Sequence, residues 1–170
     1  MSNVFDMMYI IIYSMSKFSD IGSKTVDLSF QEKSAWGLLS GILVVSAGYF
    51  PSAIRIVETT DNPVALIAIS AVGVVALIII EAVYHAIIAV AGGDQTDERD
   101  ALIDLKAERN GGFVLGISLF LLVGHIIATS VMPERPEPTV LLVGIYIIAA
   151  LTLSEVAKLT SQIWYYRAGV

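Results

Sequence analysis

Of the ionisable residues within or at the edge of long apolar runs, four fall in two of them: Glu81 and His85 between Val64 and Val90, and Glu155 and Lys158 between Thr139 and Leu159. An ionisable group in hydrocarbon is costly, so each needs a partner or a task. Glu81 and His85 are one helical turn apart and share a face. Counted from the same end of the two runs, Glu81 lies about 26 Å along its helix and Glu155 about 24 Å, at a rise of about 1.5 Å per residue. His85 and Lys158 lie about one turn deeper, and Thr152 and Gln162 extend the set. Together Glu81, His85, Glu155 and Lys158 make a candidate proton or cation site, because low dielectric favours the protonated carboxyl and a nearby Lys or His retunes it. The competing reading is helix packing, since polar contacts between helices hold bundles together and long side chains reach back to the interface. Glu-x-x-x-His occurs once, whereas a di-metal carboxylate bundle uses Glu-x-x-His on two helices, so no metal or other cofactor is expected. His125, isolated near Ser118 and Thr129, reads as a hydrogen-bonded packing residue.

A second constellation lies between the runs. At helical spacing Asp97, Asp100, Asp104 and Glu108 form an acidic stripe, with Arg99, Leu102, Ile103, Leu105, Lys106 and Arg109 on the other side. Asp97 can cap this helix, and Asn110-Gly111-Gly112 offers residues that tolerate a left-handed end. The pattern predicts a short amphipathic helix lying on the bilayer, with its apolar and basic face against anionic headgroups. The acidic stripe is then a candidate docking surface for a basic partner or a cation, or simply the solvated face of a connector.

The elements that must position these groups are set by composition. Of 170 residues 56% are hydrophobic and 15% charged, and the mean hydropathy is +0.77, so the solvent for most of the chain is lipid. The fold class expected is all-α, a polytopic membrane protein with a four-transmembrane-helix bundle over 34–167, its spans at about 34–54, 64–90, 112–131 and 139–159. Trp36, Tyr49, Phe50, Trp164 and Tyr165 fall at span ends, as interfacial aromatics do. Residues 1–33 read as an N-terminal extension in which Val4 to Met15 is too short to span and suits an interfacial helix. Asp61-Asn62-Pro63 and the prolines Pro133, Pro136 and Pro138 mark the tight links. Eight Lys and Arg lie on the side of the N-terminus, central loop and C-terminus, and two, Arg55 and Arg135, on the other, which places both core ends in the cytoplasm. Gly37-x-x-x-Gly41 and Gly112-x-x-x-Gly116, with Gly124, are places where helix backbones can approach, within one chain or between copies in a homo-oligomer.

Several function classes are excluded or disfavoured. A net charge of -6 without a basic cluster argues against direct nucleic-acid binding. The absence of cysteine removes disulfides, thiolate metal sites and thiol nucleophiles. No nucleophile with an adjacent base is visible, so an enzyme is not expected.

Phe30-Gln31-Glu32-Lys33-Ser34-Ala35-Trp36, Asp97-Glu98-Arg99-Asp100-Ala101-Leu102-Ile103, Leu153-Ser154-Glu155-Val156-Ala157-Lys158 and Tyr165-Tyr166-Arg167 occur in this order between and beside the spans. In these motifs the chain, from about Phe30 onward, resembles a family of small uncharacterised bacterial inner-membrane proteins. The resemblance implies a bacterial inner-membrane location and the four-span topology, supplies no chemistry, and associates proteins of this kind with small cytosolic DNA-binding regulators as partners. The function expected is a non-enzymatic accessory or regulatory protein acting through a cytoplasmic partner. The alternative is a small proton- or cation-coupled transporter or channel component using the Glu/His/Lys cluster.

Overall fold

The computed structural model describes residues 29–59, 62–91, 97–132 and 136–169, the side chains of 81, 85 and 87–91 excepted. The expected extension over 1–33, with its interfacial helix, therefore lies almost wholly outside the described residues. Among the described residues there are four helices: α1 (Phe30–Thr59), α2 (Pro63–Ala91), α3 (Glu98–Val131) and α4 (Val140–Ala168). Each is long and apolar enough to cross a membrane. The protein is thus an all-α, multi-pass membrane protein, with no strand among the described residues.

Each helix begins on a residue whose side chain takes up a backbone N–H that the helix cannot satisfy itself. Ser29 Oγ accepts from the Glu32 N–H at 3.1 Å. Asn62 Oδ1 accepts from the Val64 N–H at 3.0 Å, with Pro63 in the first turn where its missing donor costs nothing. Thr139 Oγ1 accepts from the Leu142 N–H at 3.2 Å. Asp97 and Asp100 satisfy each other's backbone N–H groups at 2.8 and 3.2 Å, a capping box. Gly169, with φ of 72°, closes α4 in the left-handed conformation that glycine adopts without penalty.

The helices are ordered in space α2, α1, α4, α3, with packing between α2 and α1, α1 and α4, and α4 and α3. Two small cores join them. Ala35 and Leu39 of α1 meet Leu159 and Ile163 of α4 at one end. Tyr49 and Ala53 of α1 meet Leu66 of α2 and Ile145 of α4 at the other, where the Tyr49 and Ser70 hydroxyls are 3.1 Å apart. The outer helices bury little: Val72, Val75 and Ile79 of α2, and Ile117, Phe120 and Leu121 of α3, are exposed. In lipid such faces are already in an apolar solvent, so helices associate through small residues and polar contacts rather than by hydrophobic burial.

The amphipathic helix predicted over Asp97–Asn110 starts at its expected cap but does not stop at Asn110-Gly111-Gly112. It continues without a break into the third span, giving one helix of 34 residues, about 51 Å long. The reason is a packing contact: Gly111 is buried against α4, where the Ser154 hydroxyl donates to the Gly111 carbonyl at 2.9 Å. Here glycine serves close approach rather than termination. A hydrocarbon layer of about 30 Å leaves roughly 20 Å of α3 beyond it, so this segment is collinear with its span instead of lying flat on the bilayer.

Candidate functional site

The polar chemistry collects where the start of α1, the start of α3 and the end of α4 come together. The acidic stripe is turned along α4, and three of its carboxylates meet side chains there in sequence. Tyr166 donates to Asp100 Oδ1 at 2.9 Å, Gln162 Nε2 to Asp104 Oδ1 at 3.0 Å, and Lys158 Nζ to Glu108 Oε2 at 3.5 Å. The partners are four residues apart on both helices and run in opposite directions. Antiparallel helices with equal rise bring every such pair into step, which is why a stripe on one finds a stripe on the other.

Beneath this ladder Ile103 and Ala107 are buried, and Asn110 Nδ2 donates to Ser161 Oγ and Tyr165 Oη, each at 3.1 Å. Ile103, grouped by sequence with the basic face, therefore faces the interior. Asp97 is used as the cap. The ladder is not sealed from water at its last rung, where the Glu108 side chain is 66% exposed and that of Lys158 25%. Their pair is accordingly a weak surface one. Burial, reinforced by the hydrogen bond to Asp100 and by the charges of Asp100, Asp104 and Asp97, pushes the Tyr166 phenol well above its usual range.

The start of α1 is held to the same end of α4. Arg167 Nε donates to Glu32 Oε1 at 3.1 Å, and the Glu32 side chain is only 7% exposed. This carboxylate thus carries the partner that a buried charge requires. The Arg167 guanidinium also stands 5.3 Å from the Trp36 ring centroid, close enough for a cation–π contact. On the other side of α1 the Tyr84 hydroxyl donates to the Lys33 carbonyl. Three helix ends are thus tied into one polar collar.

The structure brings two residues of the proposed four-residue cluster to one place. Glu155 and Lys158 line one cavity of about 230 Å³ between α1 and α4, together with Gln31, Ser34, Asp104 and Gln162. Its floor is apolar, made by Ala35, Leu38, Ile42 and Leu159. Glu81 and His85 belong to α2, which packs against α1, and their side chains lie outside the described residues. Thr152 bonds back to its own helix, its hydroxyl donating to the Ile148 carbonyl at 2.8 Å. His125 packs edge-to-face on Tyr146, with ring centroids 6.0 Å apart, and Thr129 donates to its carbonyl rather than to its ring.

Sequence reasoning passed over Ser34, Glu32 and Tyr166 as site residues. Ser34 and Glu32 sit at or before the expected start of the first span and carry no periodic signal of their own. Tyr166 could have been found from its spacing, eight residues from Lys158 with Gln162 between them, which mirrors the stripe Asp100, Asp104 and Glu108.

Among the described residues no three His, Asp or Glu side chains converge as a metal site. No protein-family model matches the chain, and neither a curated protein nor a solved structure matches it.

Proposed function

We propose that this chain is a non-enzymatic accessory or regulatory protein of a bacterial inner membrane, with the polar collar in the cytoplasm and a cytosolic protein as its partner. The observation that carries the reading is the exposed face of α3 where the helix leaves the hydrocarbon: Leu102 is 58% exposed and Leu105 67%. Apolar side chains on a segment surrounded by water are costly unless something covers them. They are flanked by Arg99 and Arg109, so the complementary surface is an apolar segment with carboxylates beside it. Because the acidic stripe is already engaged with α4, the outward face of Leu102 and Leu105 is the better docking surface of the two. The eight-to-two distribution of Lys and Arg supports the cytoplasmic placement, and the motif resemblance supports the bacterial membrane.

Two measurements test this. Reporters inserted at Gly93 and fused after Val170 are expected to read cytoplasmic and one at Glu134 external, and an external reading at Gly93 removes the proposed compartment. A photocrosslinking amino acid at Leu105, used in native membranes, is expected to give one protein adduct of defined mass that Leu102→Lys abolishes. The same label at Phe120 is expected to give lipid adducts. Absence of a protein adduct at Leu105 overturns the docking reading.

A further inference from the structure

The cavity between α1 and α4 holds more open polar chemistry than packing requires. Ser34 is 6% exposed, and its hydroxyl, at the cavity wall, has no hydrogen-bond partner among the described residues. No buried side-chain polar atom among the described residues lacks a partner, so this hydroxyl keeps access to the cavity, where a ligand or water can meet it. Beside it the exposed Glu155 presents a carboxylate that no side chain engages among the described residues. Asp104 uses Oδ1 to accept from Gln162, which leaves Oδ2 and the Gln162 amide oxygen available as further acceptors. The cationic group in the lining, Lys158, is directed to Glu108 at 3.5 Å. Two carboxylates against one already paired ammonium leave the cavity negative, so its ligand is a cation.

The size and the floor decide which kind. A cavity of about 230 Å³ is several times the roughly 30 Å³ share of one water molecule. It is too roomy to clasp a bare metal ion at the roughly 2.3–2.6 Å that calcium needs. Ala35, Leu38, Ile42 and Leu159 offer no ligand atoms but a surface for carbon. An ammonium group has three donors and no acceptor, and Glu155, Asp104 Oδ2 and Ser34 Oγ supply three acceptors. We propose that this cavity binds a small organic cation, a primary ammonium with a short apolar body, its head among Glu155, Asp104 and Ser34 and its body on Leu38 and Ile42. This binding site goes beyond the docking function and is independent of it.

The test is calorimetric titration of the full chain in lipid nanodiscs with n-butylammonium chloride, using sodium chloride and neutral butyramide as controls. Saturable binding is expected for butylammonium alone. Glu155→Gln, which keeps shape but removes the charge, is expected to weaken it at least tenfold, and Ser34→Ala severalfold, with unchanged helical content by circular dichroism. Lys158→Met is expected to leave binding equal or tighter. Binding no stronger than that of sodium, binding unchanged in Glu155→Gln, or binding lost in Lys158→Met, which would mark an anion site, each overturns the proposal. The Leu105 crosslink reads the docking surface separately, so failure of one leaves the other standing.

Discussion

Gly37-x-x-x-Gly41 on α1 and Gly112-x-x-x-Gly116 on α3 share a spacing and differ in what faces them. The Tyr84 ring lies directly over Gly37, and a Cβ at Gly41 would come within 2.9 Å of Ile80 Cγ2. At Gly112 and Gly116 a Cβ would meet nothing within 4 Å. Those two glycines instead floor an open groove walled by Phe113, Ile117 and Phe120. The contact of α3 with α4 is made one residue earlier, at Gly111, where a Cβ would lie 3.1 Å from the Ser154 carbonyl oxygen. Small-residue spacing permits two backbones to approach, but it does not choose the rotation of the helix. On α3 that rotation follows the ladder Asp100, Asp104 and Glu108, which turns Ile103, Ala107 and Gly111 toward α4. Gly112, about 100° further round, is carried away from it.

The difference is open to attack by substitution. The largest effect is expected from Gly37→Leu, because the added side chain must displace the Tyr84 ring and its hydrogen bond to Lys33. Overpacking of this kind costs about 1–3 kcal/mol, and the thermal unfolding temperature in detergent should fall accordingly. An unchanged transition would mean that α1 and α2 do not pack at this glycine. Next comes Gly111→Ala, for which the obstacle is backbone, not a movable side chain tip. About 1 kcal/mol of destabilisation is expected, whereas a neutral result would show that the 3.1 Å approach at Ser154 relaxes freely.

Tyr166→Phe removes one rung of the ladder and should cost about 1 kcal/mol at neutral pH. Its pH dependence has a definite sign. The phenol is raised by burial first and by Asp100 second, so the folded state holds the proton more tightly than the unfolded one. The stabilisation is complete below the unfolded value of about 10 and is lost as the pH climbs toward the folded value. Spectroscopic titration should find a late-ionising phenolate that is absent in Tyr166→Phe. If Tyr166→Phe leaves the late ionisation unchanged, the rung is not formed.

The smallest effect is expected at Gly116→Ala. With open space around it the new methyl touches nothing, and replacing glycine inside a helix should stabilise by roughly 0.5–1 kcal/mol. Destabilisation there would reveal a neighbour for the groove and erase the contrast between the two motifs.

What the sequence determined by itself is local or compositional. Caps at Asn62 and Asp97 act on N–H groups two or three residues away, and span length follows from contiguous apolar residues meeting a layer of fixed thickness. The acidic stripe was legible for the same reason, being a matter of i, i+4 spacing on one helix. Glu155 and Lys158 could be placed about one turn apart on a shared helix because both belong to α4. Tertiary structure alone decided that α1 packs against both α2 and α4. It also decided that the stripe meets α4, that α3 runs through Gly111-Gly112, and that Ser34 opens into a cavity. In lipid one apolar face is nearly as acceptable as another, so the choice of neighbour rests on a few polar and small-residue contacts between distant parts of the chain. Asp100 and Tyr166, 66 positions apart, become partners only once both helices are in place.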